Sequence, residues 1–154
     1  MIFASLGTMD MPFERMAKAV DRFAASTDEE VIVQTGHTHF DYKFAHCFDF
    51  CTKDEMQRYI EQADILILQG GWGAISEAME KRKRIVVMPR YDKTEHIHDQ
   101  FQLVRKLDGL GCVIGVFDEN SLPDAMERAK HFAFKQLNKG NAEGIIREKL
   151  REWF

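Results

Sequence analysis

The feature that most constrains this chain is the run Asp64-Ile65-Leu66-Ile67-Leu68-Gln69-Gly70-Gly71-Trp72-Gly73-Ala74-Ile75-Ser76-Glu77-Ala78. An unbroken apolar strand of this length ends in a glycine-rich turn, and the turn opens a helix. That order aims free backbone N–H groups and the positive end of a helix at one spot, where an anion such as a diphosphate can sit. Glycine suits the turn because it leaves room for close approach and tolerates positive φ. Glu77 follows in the helix, within reach of a ribose or sugar hydroxyl. The same run also suits a β–α turn that packs tightly and binds nothing, since short glycine motifs are weakly specific.

The rest of the chain repeats the alternation. Strand patterns fall at 2–6, 31–34, 47–50, 65–68, 85–88 and 113–116, and helix patterns at 12–24, 53–62, 74–81, 97–107, 121–137 and 142–154. The runs at 65–68 and 85–88 are continuously apolar, as strands covered on both faces are. Strands alternating with helices predict βαβ units and a single α/β, Rossmann-like, doubly wound parallel sheet. In such sheets ligands bind beyond the carboxyl ends of the strands. Gly7-Thr8, Gly36, residues 69–73 and Pro89-Arg90 all fall at those ends, so one crevice collects them.

With 154 residues, 45% of them hydrophobic and 30% charged, the chain reads as one soluble domain with a real core. A net charge of −4 argues against a general nucleic-acid binder, which needs a basic face. The first residues carry no basic region of a signal peptide, and no stretch approaches the ~18 apolar residues of a membrane span. The expectation is a cytoplasmic protein that meets a membrane only through a partner. Cys47, Cys51 and Cys112 form no regular framework and read as small apolar residues in a reducing compartment. His37-x-His39 and His96-x-His98 lack a convincing metal-ligand spacing, so no metal is expected. The basic run Lys81-Arg82-Lys83-Arg84 at a helix end suits pairing with a negative helix terminus, or alternatively contact with anionic lipid.

No linker divides residues 1–137, which read as the binding domain. The segment 138–141 sets off a last amphipathic helix, 142–154, whose Ile146, Leu150, Trp153 and Phe154 share a face with Ile145 beside them. That face either packs on the domain or docks a partner, where aromatic residues are enriched.

Four segments, in order and at matching spacing, resemble the C-terminal, donor-binding domain of family 28 glycosyltransferases. Residues 2–8 followed by Pro12-Phe13-Glu14-Arg15 resemble the family's opening V-G-T strand and helix. Residues 31–37 resemble its Q-x-G strand end. Residues 63–78 and then 85–90 resemble the core A-D-x-x-I-x-x-x-G-x-G-S-x-x-E-A … P-x-x-V-x-P-R. Residues 95–100 resemble the acidic–His–Gln segment that follows. The likeness runs from Met1 to about Ala129. It is closest to the small catalytic subunits of split transferases, which include the eukaryotic enzyme adding the second N-acetylglucosamine to dolichol-linked sugar and bacterial capsule or exopolysaccharide counterparts.

The resemblance implies the equivalent of the C-terminal half of a GT-B enzyme. It would be the UDP-sugar-binding catalytic subunit of a two-component hexosyl- or N-acetylhexosaminyltransferase in polysaccharide biosynthesis. The donor would be a UDP-sugar, with no further cofactor. The partners implied are a membrane-anchored acceptor-binding subunit and a lipid-linked saccharide, which would recruit this chain to the cytoplasmic face of a membrane. Donor-binding residues implied are Gly7 and Thr8 on one side of the cleft, and Gly70, Gly71, Trp72 and Gly73 at the helix end. Ser76 is the implied hydroxyl donor, Glu77 the ribose acceptor and Gln100 the sugar-binding amide. No catalytic base is assigned: many relatives carry His where this chain has Gln69, and an amide cannot take a proton. Trp72 is bulkier than the residue usual between these glycines. Each of Ser76, Glu77 and Gln100 also suits a plain helix position. A non-catalytic nucleotide-sugar-binding or stabilising subunit is the alternative. A dinucleotide-dependent oxidoreductase is disfavoured, because G-x-G-x-x-G does not follow the first strand.

Overall fold

The computed structural model describes residues 1–90 and 100–137. In chain order these form β1 (Ile2–Ser5), α1 (Glu14–Ala24), β2 (Val31–Gln34), β3 (His46–Phe48), α2 (Lys53–Gln62), β4 (Ile65–Gln69), α3 (Trp72–Glu80), β5 (Arg84–Met88), α4 (Phe101–Gly109) and β6 (Ile114–Gly115). A single 3-10 turn at Glu119–Ser121 then leads into α5 (Leu122–His131). The strands make one sheet in the order β3-β2-β1-β4-β5-β6, every pairing parallel. This is the single doubly wound α/β sheet expected from the alternation.

Period-2 alternation divides the apolar strand residues between two cores. Ile2, Ala4, Ile65 and Ile67 face one side, against Met16, Ala17 and Val20 of α1 and Leu122, Ala125 and Met126 of α5. Phe3, Leu66 and Leu68 face the other, against Ile60 of α2, Ile75 and Ala78 of α3, and Val104 and Leu107 of α4. Each buried Val, Leu, Ile, Phe or Met side chain contributes about 1.5–3 kcal/mol, so the sheet is held from both faces. Strand order reverses between β1 and β4: the chain leaves β1 toward β2 and leaves β4 toward β5. Their carboxyl ends therefore diverge and leave a crevice.

Local signals explain the boundaries. Thr52 caps α2 in a reciprocal box with Glu55, so this helix starts where its pattern starts. Helix α1 begins at Glu14, two residues later than its pattern, because the Phe13 N–H donates to Thr38 Oγ1 at 2.9 Å and holds the chain out of helical geometry. Helix α3 begins at Trp72, two residues earlier than its pattern, with Gly71 as N-cap. Helix α5 stops at His131, short of the expected 137. Phe132 turns extended and packs edge-on against Phe134, and the Lys135 N–H donates to the Gly111 carbonyl at 2.8 Å. The helix expected over 97–107 is seen from Phe101 and runs on to Gly109. The amphipathic helix at 142–154 lies outside the described residues, as do His96 and His98.

Two charged features fix loops. Asp21 on α1 is buried and accepts the backbone N–H groups of Lys43, Phe44 and Ala45 at 2.9–3.1 Å. Burial pushes its pKa up, but the N–H donors of Ala45, Phe44 and Lys43 outweigh burial and hold the carboxyl below the usual carboxylate range. The basic run at 81–84 serves a neighbouring helix. Lys83 Nζ donates to the carbonyls of Glu61 (2.6 Å) and Ala63 (3.0 Å) at the end of α2, and Lys81 pairs with the Glu61 carboxylate. Cys112 is buried as expected of a small apolar residue, whereas Cys47 on the edge strand β3 is exposed.

Candidate functional site

A cavity of about 350 Å³ opens at the carboxyl ends of β1 and β4, where the sheet order reverses. Gly7 and Thr8 line one side, Gln69, Gly71, Gly73, Ala74 and Glu77 the other, with Met56 and Ile60 of α2 and Leu66 and Leu68 of β4 as apolar floor. A wider hollow of about 740 Å³ lies beside β3. Its walls hold the carboxylates of Asp41 and Asp49 and no helix N-terminus, so it does not suit an anion.

The helix end meets the cavity with donors to spare. Helical bonding in α3 starts only at the Ile75 N–H, which donates to the Gly71 carbonyl at 3.2 Å. The N–H groups of Trp72, Gly73 and Ala74 have no partner within the helix. The first turn carries no acidic side chain to compete for them. Three donors and the positive helix end are thus available to an anion beside Gly71 and Gly73. A Cβ on Gly73 would meet nothing within 4 Å, so its missing side chain leaves open space in front of these donors.

The opposite wall is tied down through buried polar contacts. Gly7 adopts φ +86°. Its neighbour Gly36 packs so closely that a Cβ there would lie 2.1 Å from the Gly7 carbonyl oxygen. Ser5 Oγ donates to Gln34 Oε1 at 2.7 Å, and Gln34 Nε2 donates to the Asp49 carbonyl at 3.0 Å. The guanidinium of Arg90, 1% exposed, donates to the carbonyls of Leu6 (2.7 Å) and Met11 (2.8 Å) on either side of the Gly7-Thr8 turn. It also lies 4.5 Å over the Phe13 ring. Nothing in the sequence pattern marks Arg90 as a brace for β1, because the contact spans 84 positions.

The polarity of Gln69 follows from one fixed backbone group. The Arg90 N–H can only donate, and it donates to Gln100 Oε1 at 3.1 Å. The other end of that amide, Gln100 Nε2, donates to Gln69 Oε1 at 2.8 Å. Gln69 must therefore turn its own Nε2 toward the gap between the two glycine loops. A Cβ on Gly71 would lie 2.3 Å from that nitrogen, and one on Gly7 would lie 3.3 Å away. Gln69 thus presents an N–H donor to the cavity at any pH at which the protein is folded.

The residues named from sequence divide on this map. Gly7, Thr8, Gly71, Gly73 and Glu77 line the cavity. Gly70 lies behind it, its missing side chain making room for Gln100, which a Cβ would approach to 2.7 Å. Trp72, the first residue of α3, is 45% exposed and does not line the cavity. Ser76 donates its hydroxyl back to the Gly73 carbonyl at 3.1 Å, within its own helix. Gln100 is buried and holds Arg90 and Gln69. Sequence reasoning missed Gln57 on α2, whose Nε2 donates to Glu77 Oε1; nothing in its spacing distinguishes it from any polar helix residue. Among the described residues no group of three His, Cys, Asp or Glu side chains converges as metal ligands would, and no helix is long and apolar enough to cross a membrane.

Residues 6–150 match the family model described as the glycosyltransferase family 28 C-terminal domain. Among solved structures the chain is similar to the glycosyltransferase SnogD from Streptomyces nogalater, with 18% identity and a TM-score of 0.64. It is similar also to the glycotransferase of kitacinnamycin, with 20% identity and a TM-score of 0.64. Each comparison covers 83% of this chain and 34% of the other, so the chain spans about a third of the length of these structures and shares their fold. No curated protein matches it significantly.

Proposed function

The chain belongs to the glycosyltransferase family 28 C-terminal domain family, and from that premise we propose that it binds a UDP-sugar in the β1/β4 crevice and serves as the donor half of a hexosyl- or N-acetylhexosaminyltransferase. The observation that carries this reading is the open N-terminus of α3. Among the described residues the N–H groups of Trp72, Gly73 and Ala74 have no partner, and with the Gln69 Nε2–H they lie at a cavity where Gly73 leaves open space for a diphosphate.

The chemistry asks two things of a protein. The acceptor hydroxyl must lose its proton as its oxygen forms a bond to the anomeric carbon. The bond from that carbon to the diphosphate oxygen must break, with the electron pair leaving on UDP. The helix end answers the second demand: fixed N–H donors stabilise charge that grows on the leaving diphosphate without reorganising as it grows. Glu77, farther along α3, accepts from the ribose hydroxyls. Gln100 acts indirectly, by setting the orientation of Gln69, and Ser76 takes no part. No group on these walls is assigned as the base. We assign that role to an acceptor-binding subunit, anchored in a membrane and presenting a lipid-linked saccharide, as in polysaccharide assembly.

The test is thermal stabilisation by UDP, with ADP and NAD as controls, on wild type and Glu77→Ala. A ligand at 100 times its dissociation constant stabilises by about 2.7 kcal/mol. A UDP-selective shift that shrinks in the variant is the expected result. A shift with NAD and none with UDP overturns the reading.

A further inference from the structure

The carboxylate of Glu77 does not stand alone in the cavity. Gln57, one helix away on α2, donates from Nε2 to Glu77 Oε1. A carboxylate only accepts, so the contact fixes which end of the Gln57 amide faces it. Two acceptors are left over on the pair: Glu77 Oε2 and the Gln57 carbonyl oxygen, neither of which has a partner among the described residues. Met56, the residue before Gln57, lines the same cavity as Glu77. Both helices are anchored near the contact, α2 by Ile60 and α3 by Ile75 and Ala78 in one core. The pair therefore spans two elements that do not move independently.

We propose that Gln57 is a positioning and specificity residue for the donor nucleotide: it locks the Glu77 carboxylate so that its second oxygen faces the cavity, and its own carbonyl supplies a second acceptor beside it. Resting on the donor-site reading above, the pair takes the two hydroxyls of a ribose cis-diol, one on each acceptor. A lone glutamate on an exposed helix samples several rotamers and must be ordered by the ligand. A glutamate already held by an amide has lost that freedom before binding, so less affinity is spent on ordering it. A sugar lacking one hydroxyl leaves one of the two acceptors unpaired, which is how a polar site rejects such an analogue.

The test titrates UDP and 2′-deoxy-UDP into the full chain as wild type, Gln57→Met and Glu77→Gln, by calorimetry. Methionine keeps the length of Gln57 and removes both its donor and its acceptor. Wild type is expected to prefer UDP by roughly tenfold or more, the range of one hydrogen bond to a charged group. Gln57→Met is expected to weaken UDP by a similar factor and 2′-deoxy-UDP far less, so that the ratio falls toward one. A structural role alone would weaken both nucleotides together. A Gln57→Met protein that unfolds cooperatively like wild type yet keeps the full UDP preference overturns the inference while leaving the donor site standing. Absence of UDP binding in wild type overturns the donor site and this inference with it. Glu77→Gln keeps the size of the side chain and removes its charge. A fall in the nucleotide preference there is expected, and an unchanged preference counts against the pair.

Discussion

Gln100 Nε2 donates to Gln69 Oε1 at 2.8 Å, and the direction of that bond is set by the Arg90 N–H on its far side. Three strand ends meet in this chain of contacts: β4 through Gln69, β5 through Arg90, and β1 through the Leu6 carbonyl to which the Arg90 guanidinium donates. Gln100, expected to bind the sugar, has both ends of its amide engaged within the protein and so decides which face of Gln69 the cavity sees.

Reversing that relay is expected to change anion binding more than stability. In Gln100→Glu the side chain still accepts from the Arg90 N–H but has nothing to donate. Gln69 must then turn its Nε2 toward the new carboxylate and its carbonyl toward the cavity. UDP affinity should fall by about tenfold or more, equivalent to about 1.4 kcal/mol, while uridine, which carries no phosphate, should bind as before. Competition titration of both ligands checks this. Gln100→Leu removes both the acceptor of the Arg90 N–H and the donor to Gln69 Oε1 and should cost about 1–3 kcal/mol in urea unfolding.

The glycines separate folding from binding. Gly73 sits in the first turn of α3 with open space around it, so Gly73→Ala should leave stability unchanged or raise it by up to about 1 kcal/mol. The same Cβ enters the space in front of the helix N–H groups and should weaken UDP. Gly36→Ala is the converse: its φ is +56° and its Cβ would press on a backbone oxygen, so the fold itself should suffer. Thermal unfolding and UDP titration of both variants read the two effects apart.

Much of the fold was legible because strand and helix carry different periods. The continuous apolar runs at 65–68 and 85–88 marked buried parallel strands, and the helix pattern over 53–62 began where the Thr52–Glu55 cap starts α2. Helix ends decided by distant partners were not legible: Phe13 is held by Thr38, and α5 ends where Lys135 returns to Gly111. At the site, the glycine turn and Glu77 were visible because local chain geometry places them. The roles of Gln57, Arg90 and Gln100 were not, because each arises from a contact with a residue of another element. Polar side chains at helical spacing look alike until their partners are known.

The two lysines beside α2 should behave differently. Lys83 Nζ bonds two carbonyls at the end of that helix, where a cation also meets the negative end of the dipole. Lys83→Met should lower stability by about 1 kcal/mol. Among the described residues the Lys81 ammonium reaches only the Glu61 carboxylate, itself 61% exposed, and such surface pairs contribute about 0–1 kcal/mol. Lys81→Met should therefore be nearly silent in urea unfolding, and added salt, about 0.5 M, should erase what remains of its effect. Equal losses in the two variants would mean that the carbonyl contacts of Lys83 add nothing.

Asp21 gives a pH signature distinct from the binding site. Its pKa is depressed in the folded protein, so ionised Asp21 favours folding wherever the unfolded chain would also be ionised, above the ordinary value of 3.8. That contribution is lost as pH falls from there through the lower folded-state pKa. Asp21→Asn removes the charge that three backbone donors face and sets an NH2 group against at least the Lys43 N–H, which should cost about 1–3 kcal/mol at neutral pH. The gap between wild type and variant should stay level from about pH 7 to about pH 5 and narrow below about pH 4. Urea unfolding across that range measures it, and amide exchange at residues 43–45 should accelerate in the variant. A gap that stayed constant down to about pH 2 would show that the loop is not held by an ionised carboxylate.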